Sequence, residues 1–276
     1  MKVNDLGKLL IIGVIFASLI AAAGCSSKPQ SKPAPKEPSP PGELKQLQTS
    51  LDELYNALKP ESPGKEQGGQ KKQQQSQGKG GEEQTAGKGK QAEETKKKAP
   101  TEIDWNKLQA QAEKIHDQWN KLEPKVVQAG ARPENITGME KELDTLPTKI
   151  AARDRSGARL AANSAAGYLP DFIELYTKKV PPDLYRMRVI TRDVLLCVDD
   201  GDWAGAEQDM LKMKTIWSNL LVQLEDTSKT ETDKTHMALL DLEDALGKRD
   251  EVLVLIKGNI LEKNLDEMIK RHDMKM

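Results

Sequence analysis

Aromatic residues are scarce: four Trp, four Tyr and two Phe in 276 residues. Ten rings leave little for stacking on nucleic-acid bases. Histidine is rarer still, with His116, His236 and His272 alone, and the only cysteines are Cys25 and Cys197. No Gly-x-Ser-x-Gly, Cys-x-x-Cys-His or plausible Cys–His pair occurs, so the usual signatures of nucleophilic catalysis and covalent haem are missing. On this ground the chain is read as a non-enzyme with no cofactor. No apolar run reaches the roughly 18–20 residues of a membrane-spanning helix. An excess of one charge is missing too, since 42 Lys and Arg stand against 43 Asp and Glu. That balance is composite: residues 1–24 carry +1, residues 25–100 carry +4, and residues 101–276 carry −6. A nucleic-acid binder needs a clustered basic face, and the acidic C-terminal region argues against one.

What is present begins with an address. Lys2 and Lys8 precede Leu9 to Ala23, an apolar run broken only by Gly13 and Ser18. Its length suits the h-region of a signal peptide rather than a span. Ala22-Ala23-Gly24-Cys25 then follows. Small residues before a Cys at the end of an h-region resemble the lipobox of bacterial lipoproteins, with Ala22 where that family usually has Leu. The resemblance implies a signal peptide over residues 1–24 and a diacylglyceryl group, with an added acyl chain such as palmitate, on Cys25. One acyl chain binds a membrane only marginally, whereas two or three anchor it stably. The implied location is the extracytoplasmic face of the cell membrane. In a diderm host, Ser26 after the Cys implies the outer membrane. Cys197, within Val194-Leu195-Leu196-Cys197-Val198, reads as a buried structural thiol.

Residues 25–42 are a Pro-rich tether, with six prolines between positions 26 and 42 favouring polyproline II. Residues 59–100 hold 10 Lys, 8 Gln, 8 Gly and 6 Glu and no aliphatic side chain beyond Ala. Such a stretch has too little apolar surface to offset ordering, so a disordered linker is expected. Between them, Leu44, Leu47, Leu51, Leu54 and Leu58 are spaced 3-4-3-4, which predicts an amphipathic helix over 43–58. A helix this short needs a partner, either another copy or the C-terminal region.

Residues 101–276 contain all four Trp and no sustained period-2 alternation, which predicts an all-α antiparallel bundle. Thr101-x-x-Asp104 resembles a capping box opening a helix with Trp105, Leu108, Ala112, Ile115, Trp119 and Leu122, stopped near Pro124. Further helices are expected over 134–146, ended by Pro147, and over 148–178, broken at Pro170. The next runs from Pro182 to Val198. Asp199-Asp200-Gly201-Asp202 makes a turn with Gly201 as a left-handed cap and Asp202 as the next N-cap. A helix with Trp203, Ala206, Met210, Met213, Trp217, Leu220 and Leu224 follows. Two more span 230–247, ended by Gly247, and 250–271, capped by Asp250.

Asp104-Trp105 and Trp119 recur 98 residues later as Asp202-Trp203 and Trp217, and the same offset pairs Met139 with Met237. Arg153-Asp154 recurs 96 residues later as Arg249-Asp250. The helix 43–58 then corresponds to 182–198, which makes the bundle a candidate duplicated four-helix unit. The Asp-Trp-x-x-Ala…Trp pattern over 182–271 also resembles a group of small helical proteins of bacterial envelopes. That likeness implies a bundle and brings no catalytic residues.

The remaining candidate chemistry is metal or haem binding. Glu113-x-x-His116 has the spacing that places two ligands on one helix face, and Asp233-x-x-His236 is a looser copy. Against a site, Glu113 and His116 flank the apolar seam instead of lying in it. Noncovalent haem would pair His116 or His236 with Met139, Met210, Met213 or Met237, residues more simply read as core. The acidic turn 199–202 lacks the calcium-loop Glu, its twelfth position from Asp200 being Leu211. The leading expectation is a membrane-anchored interaction module with an envelope protein partner. A metal- or haem-binding bundle is the alternative.

Overall fold

A computed structural model describes residues 39–60, 102–176, 180–224 and 229–274. The expectations placed on residues 1–38, Cys25 included, and on 61–101 lie outside these residues. Among the described residues there are nine α-helices and no strand. They are α1 Gly42–Ala57, α2 Trp105–Gln128, α3 Pro133–Ala151, α4 Arg155–Ala166 and α5 Leu169–Ile173, then α6 Pro182–Asp199, α7 Trp203–Gln223, α8 Lys229–Gly247 and α9 Glu251–Met274. The fold is an all-α bundle.

Two halves repeat one packing order. Helix α1 packs on α2 and α4, and α3 bridges α2 and α4, so the first four helices close a ring. In the second half α6 packs on α7 and α9, and α8 bridges α7 and α9. The equivalence extends to single positions. Buried Leu44, Leu47, Leu51, Leu54 and Leu58 of α1 stand 140 residues before buried Leu184, Met187, Thr191, Val194 and Val198 of α6. Ala158, Ala165, Leu169, Phe172 and Ile173 stand 96 residues before Val254, Leu261, Leu265, Met268 and Ile269, so α4 and α5 together match the single helix α9. One expected pairing changes. The 96-residue offset already governs α3 and α8, matching Leu143 with Leu239 and Ile150 with Leu246. Met139 therefore faces Thr235 in the comparison, and Met237 is 58% exposed.

The turns repeat as well. Arg153, Gly201 and Arg249 occupy the left-handed region, with φ of 54°, 76° and 51°. In each case the residue after the left-handed one donates back to the carbonyl five residues earlier, as Asp154 to Lys149, Asp202 to Cys197 and Asp250 to Ala245. This 6→1 bond is the Schellman arrangement. The same Asp then caps the next helix through its side chain, accepting from the N–H of Gly157, Gly205 and Leu253. The left-handed residue after α8 is thus Arg249, and Gly247 is still helical. At α2 the cap is Asp104, which accepts from Lys107 N–H, so the helix starts later than a Thr101 capping box implies.

Proline misplaces three expected ends. Helix α2 runs through Pro124 to Gln128, because Val126 extends the buried seam one turn beyond Leu122. It stops at Gly130, with φ 95°. Helix α3 runs through Pro147 to bury Ile150, so residues 148–151 belong to it. The expected 148–178 helix is divided at 152–154 and again at Gly167-Tyr168, with Pro170 in the first turn of α5. Pro147 lacks the N–H that would bond the Leu143 carbonyl. His116 of α2 supplies the missing donor, with Nε2 at 3.0 Å from Leu143 O. A buried carbonyl left without a donor costs about 1–3 kcal/mol. His116→Ala is therefore expected to cost about that much in urea unfolding, and much less when combined with Pro147→Ala, which returns a helical N–H to the same carbonyl. Equal losses in both backgrounds would show that His116 has no such role.

Candidate binding cleft between the two halves

The halves meet through α4 and α5 against α6. Helix α6 is buried over most of its length, and the buried residues include Arg188 and Arg192, exposed by only 5% and 1%. An arginine that buried needs partners on all its donors. Arg192 Nη1 lies 2.6 Å from Asp52 of α1, and its Nε lies 2.7 Å from Glu262 of α9. Lys59, just past α1 and assigned by composition to the linker, reaches the other oxygen of Glu262 at 2.6 Å. Arg188 Nη1 bonds Asp52 at 2.9 Å and Asp266 at 3.1 Å. Asp52 and Arg192 occupy equivalent positions of α1 and α6, so their pair joins the two halves directly. Beside it, the fully buried Tyr55 ring has Arg192 at 4.5 Å and Arg159 at 5.2 Å from its centroid. Arg159 in turn bonds Asp199 at 2.5 Å, linking α4 to α6.

The electrostatics follow from this crowding. Burial acts to raise the Glu262 pKa, but the Arg192 and Lys59 charges outweigh it and hold the carboxyl below its usual range. Burial acts to lower that of Arg192, and Asp52 and Glu262 reverse the shift. A depressed acid contributes stability that is present at neutral pH and lost as pH falls through its folded-state pKa. Burial lifts the Tyr55 phenol to about 12, so it stays protonated despite the cations nearby.

Next to this seam a cleft of about 560 Å³ opens where the start of α1, α5, α6 and the end of α9 converge. It lies across the repeat. Lys45 and Tyr185, Gln48 and Arg188, and Ile173 and Ile269 are three pairs of equivalent residues, and all six line it. Leu44 and Val180 add to the apolar wall, and Asp52, Asp266 and Lys270 to the polar one.

The residues singled out by spacing lie elsewhere. Glu113 is exposed on α2 beside His116, and Asp233 is exposed on α8 near His236. His236 Nδ1 accepts from the Trp217 indole N–H at 2.9 Å, so each of these imidazoles has a structural partner. Among the described residues no group of three or more His, Cys, Asp or Glu is placed to hold a metal ion. Trp119 and Trp217 are buried, whereas Trp105 and Trp203, at the first position of their helices, are partly buried against the core. Cys197 is half-buried. Burial first, then Asp209 and other nearby acids, raise its thiol to about 11, which keeps it protonated and a poor nucleophile at neutral pH. Sequence reasoning missed the seam. The available signal was the pair Arg188 and Arg192, four apart and interleaved with Met187, Val189 and Val194 on one helix.

No known family, curated protein or solved structure matches the chain. The class is therefore defined by the fold and the cleft alone: an all-helical protein of two similar four-helix halves.

Asp193 of α6 provides a pH test of the junction. It accepts from Asn163 Nδ2 of α4 at 2.7 Å, and Asn163, fully buried, also donates to the Val189 carbonyl. Burial raises the Asp193 carboxyl to about 7; Asn163 opposes the shift, Asp209 of α7 adds to it, and Lys212 and Arg192 oppose it. The folded state thus holds a proton that the unfolded chain releases near pH 4, and stability falls as pH rises from about 4 to 7. Asp193→Asn is expected to abolish that slope. Its advantage over the parent in thermal melting should grow from pH 4 to 7 and level off above. No gain at pH 8 would contradict the assignment.

Proposed function

We propose that the chain is a lipoprotein, anchored through acyl groups on Cys25, that presents a non-enzymatic helical binding module outside the cell membrane. The observation that carries the reading is the order of Lys2 and Lys8, the apolar run Leu9–Ala23 and Ala22-Ala23-Gly24-Cys25. Among the described residues no helix is long and apolar enough to cross a membrane, which fits attachment by lipid. The binding role draws support from the cleft at the junction of the halves, a preferred location for ligand sites. Partners are sought among envelope proteins and envelope molecules. In a diderm host, Ser26 directs the chain to the outer membrane.

Cys25→Ser is expected to move the protein from the membrane pellet to the soluble fraction in detergent-free fractionation. A processed Cys25→Ser chain that stays with the membranes would refute the lipid anchor.

A further inference from the structure

We infer that the outer face of the second half, across α7, α8 and α9, is the contact surface of a two-fold dimer in which it meets the same face of a second copy of this chain. The inference goes beyond the binding module proposed above and depends on neither the cleft nor the anchor at Cys25. Three observations carry it.

The first is exposed apolar surface gathered in one place. Leu221 of α7, Met237 and Leu240 of α8, and Val252, Ile256 and Ile260 of α9 are each exposed by 40% or more. Lys257 donates to Asp241 at 2.7 Å and Asn264 to the Lys234 carbonyl at 3.4 Å, a register that sets Met237 and Leu240 beside Ile260. Three helix axes spaced by about 8–10 Å make the strip about 16–20 Å wide, and it runs about 12 Å along α9 from Val252 to Ile260. A contiguous aliphatic strip of that size marks a surface that another molecule covers.

The second is a comparison that the repeat supplies. The counterparts of these six residues in the first half are Glu123, Lys141, Asp144, Ser156, Leu160 and Ser164. Glu123 and Asp144 line one cleft on the outside of α2 and α3, so Leu221 and Leu240 share the corresponding face of α7 and α8. The first half builds the same helix arrangement with polar side chains at five of the six places. The aliphatic strip is therefore not needed for folding, and contact with another surface accounts for it.

The third is what the strip can pair with. Three ion pairs bracket it, Lys214 with Glu243, Lys257 with Asp241 and Lys234 with Glu267, and each is neutral in itself. An anionic bilayer surface or a charged peptide would gain little from a rim whose charges are already matched. A second copy suits it, because a two-fold axis sets each charge near its own image and a balanced rim avoids repulsion. Among the described residues of the first half, only Val127 and Leu160 are large, apolar and exposed, and they stand on separate helices. Docking the strip there would bury Glu123 and Asp144 against aliphatic groups. A copy thus covers the strip with its own strip, and the contact closes as a dimer instead of growing into a filament. The small size places it among weak interfaces, which bury less than about 1,200 Å² in total.

Sedimentation equilibrium of the full chain carrying Cys25→Ser, purified without detergent, tests this. Monomer and dimer are expected to exchange reversibly, with a dissociation constant in the micromolar range. Met237→Lys combined with Leu240→Asp gives the second half residues that the first half already carries, and should weaken the dimer at least about tenfold. Ile260→Ser, the same exchange on α9, should weaken it in the same direction. Leu160→Ser in the first half should leave it unchanged. All these positions are exposed or half-exposed, so helical circular dichroism should not change. A monomer at every concentration would overturn the inference, as would a dimer that the α8 and α9 variants retain or that Leu160→Ser removes. Fractionation of the same Cys25→Ser chain reports separately on the anchor, so the two proposals fail independently.

Discussion

Helix α1 is the element on which both halves depend. It is separated in sequence from α2 by residues 58–104, and yet it closes the first ring by packing on α2 and α4. A 16-residue helix is marginal alone in water. Leu44, Leu47, Leu51, Leu54 and Leu58 reach at most 3% exposure, and each buried leucine contributes about 1.5–3 kcal/mol relative to solvent. Tertiary burial, and not helix propensity, therefore holds α1. The number of residues between α1 and α2 is a small obstacle, because the entropy of closing a loop grows slowly with length, by about 0.6 kcal/mol per doubling. From its other side α1 offers Asp52 to Arg188 and Arg192, so one helix both completes a half and joins it to the next.

The junction is made of buried charge, which restricts how the halves can meet. Arginines at 5% and 1% exposure leave no room for an alternative register in which Asp52, Glu262 or Asp266 is displaced, since an uncompensated buried charge costs about 3–5 kcal/mol. Because Asp52 and Arg192 are equivalent in the two halves, the pair cannot form within either one. It forms only across the repeat. The apolar cores make each half fold, and the ionic seam sets their arrangement, with the cleft as the space left beside it. The same logic accounts for the histidines. His116 answers the carbonyl that Pro147 leaves bare, and His236 accepts the Trp217 indole proton. The equivalent indole, Trp119 Nε1, is buried with no partner among the described residues, so the halves differ in polar detail while sharing an apolar plan.

The apolar plan was readable in the sequence. The 3-4 spacing of leucines located α1, the Asp-Trp pairs located the starts of α2 and α7, and Arg153-Asp154 with Arg249-Asp250 marked repeated turns. These signals are local, and local chemistry decides them. Helix ends at Pro124 and Pro147 were misread because tertiary partners, Val126 in the seam and His116 from the neighbouring helix, outweigh what proline does alone. Met237 reads as inward from spacing alone and yet is exposed, because the spacing between α7 and α8 differs by two residues from that between α2 and α3, a shift no single-helix pattern records. The cleft was not legible at all. Its residues come from four helices and the segments leading into α1 and α6, and Arg188 and Arg192 resemble surface cations until Asp52 and Glu262 are brought to them.

The central claim is that α1 belongs to the folded core as fully as its counterpart α6. Native-state amide hydrogen exchange on the full chain tests this directly. The account predicts that the amides of Leu47 to Leu54 exchange through the same high-energy opening as those of α4 and α6, with comparable protection. Exchange of those amides orders of magnitude faster than α6, at conditions where α6 remains protected, would contradict it.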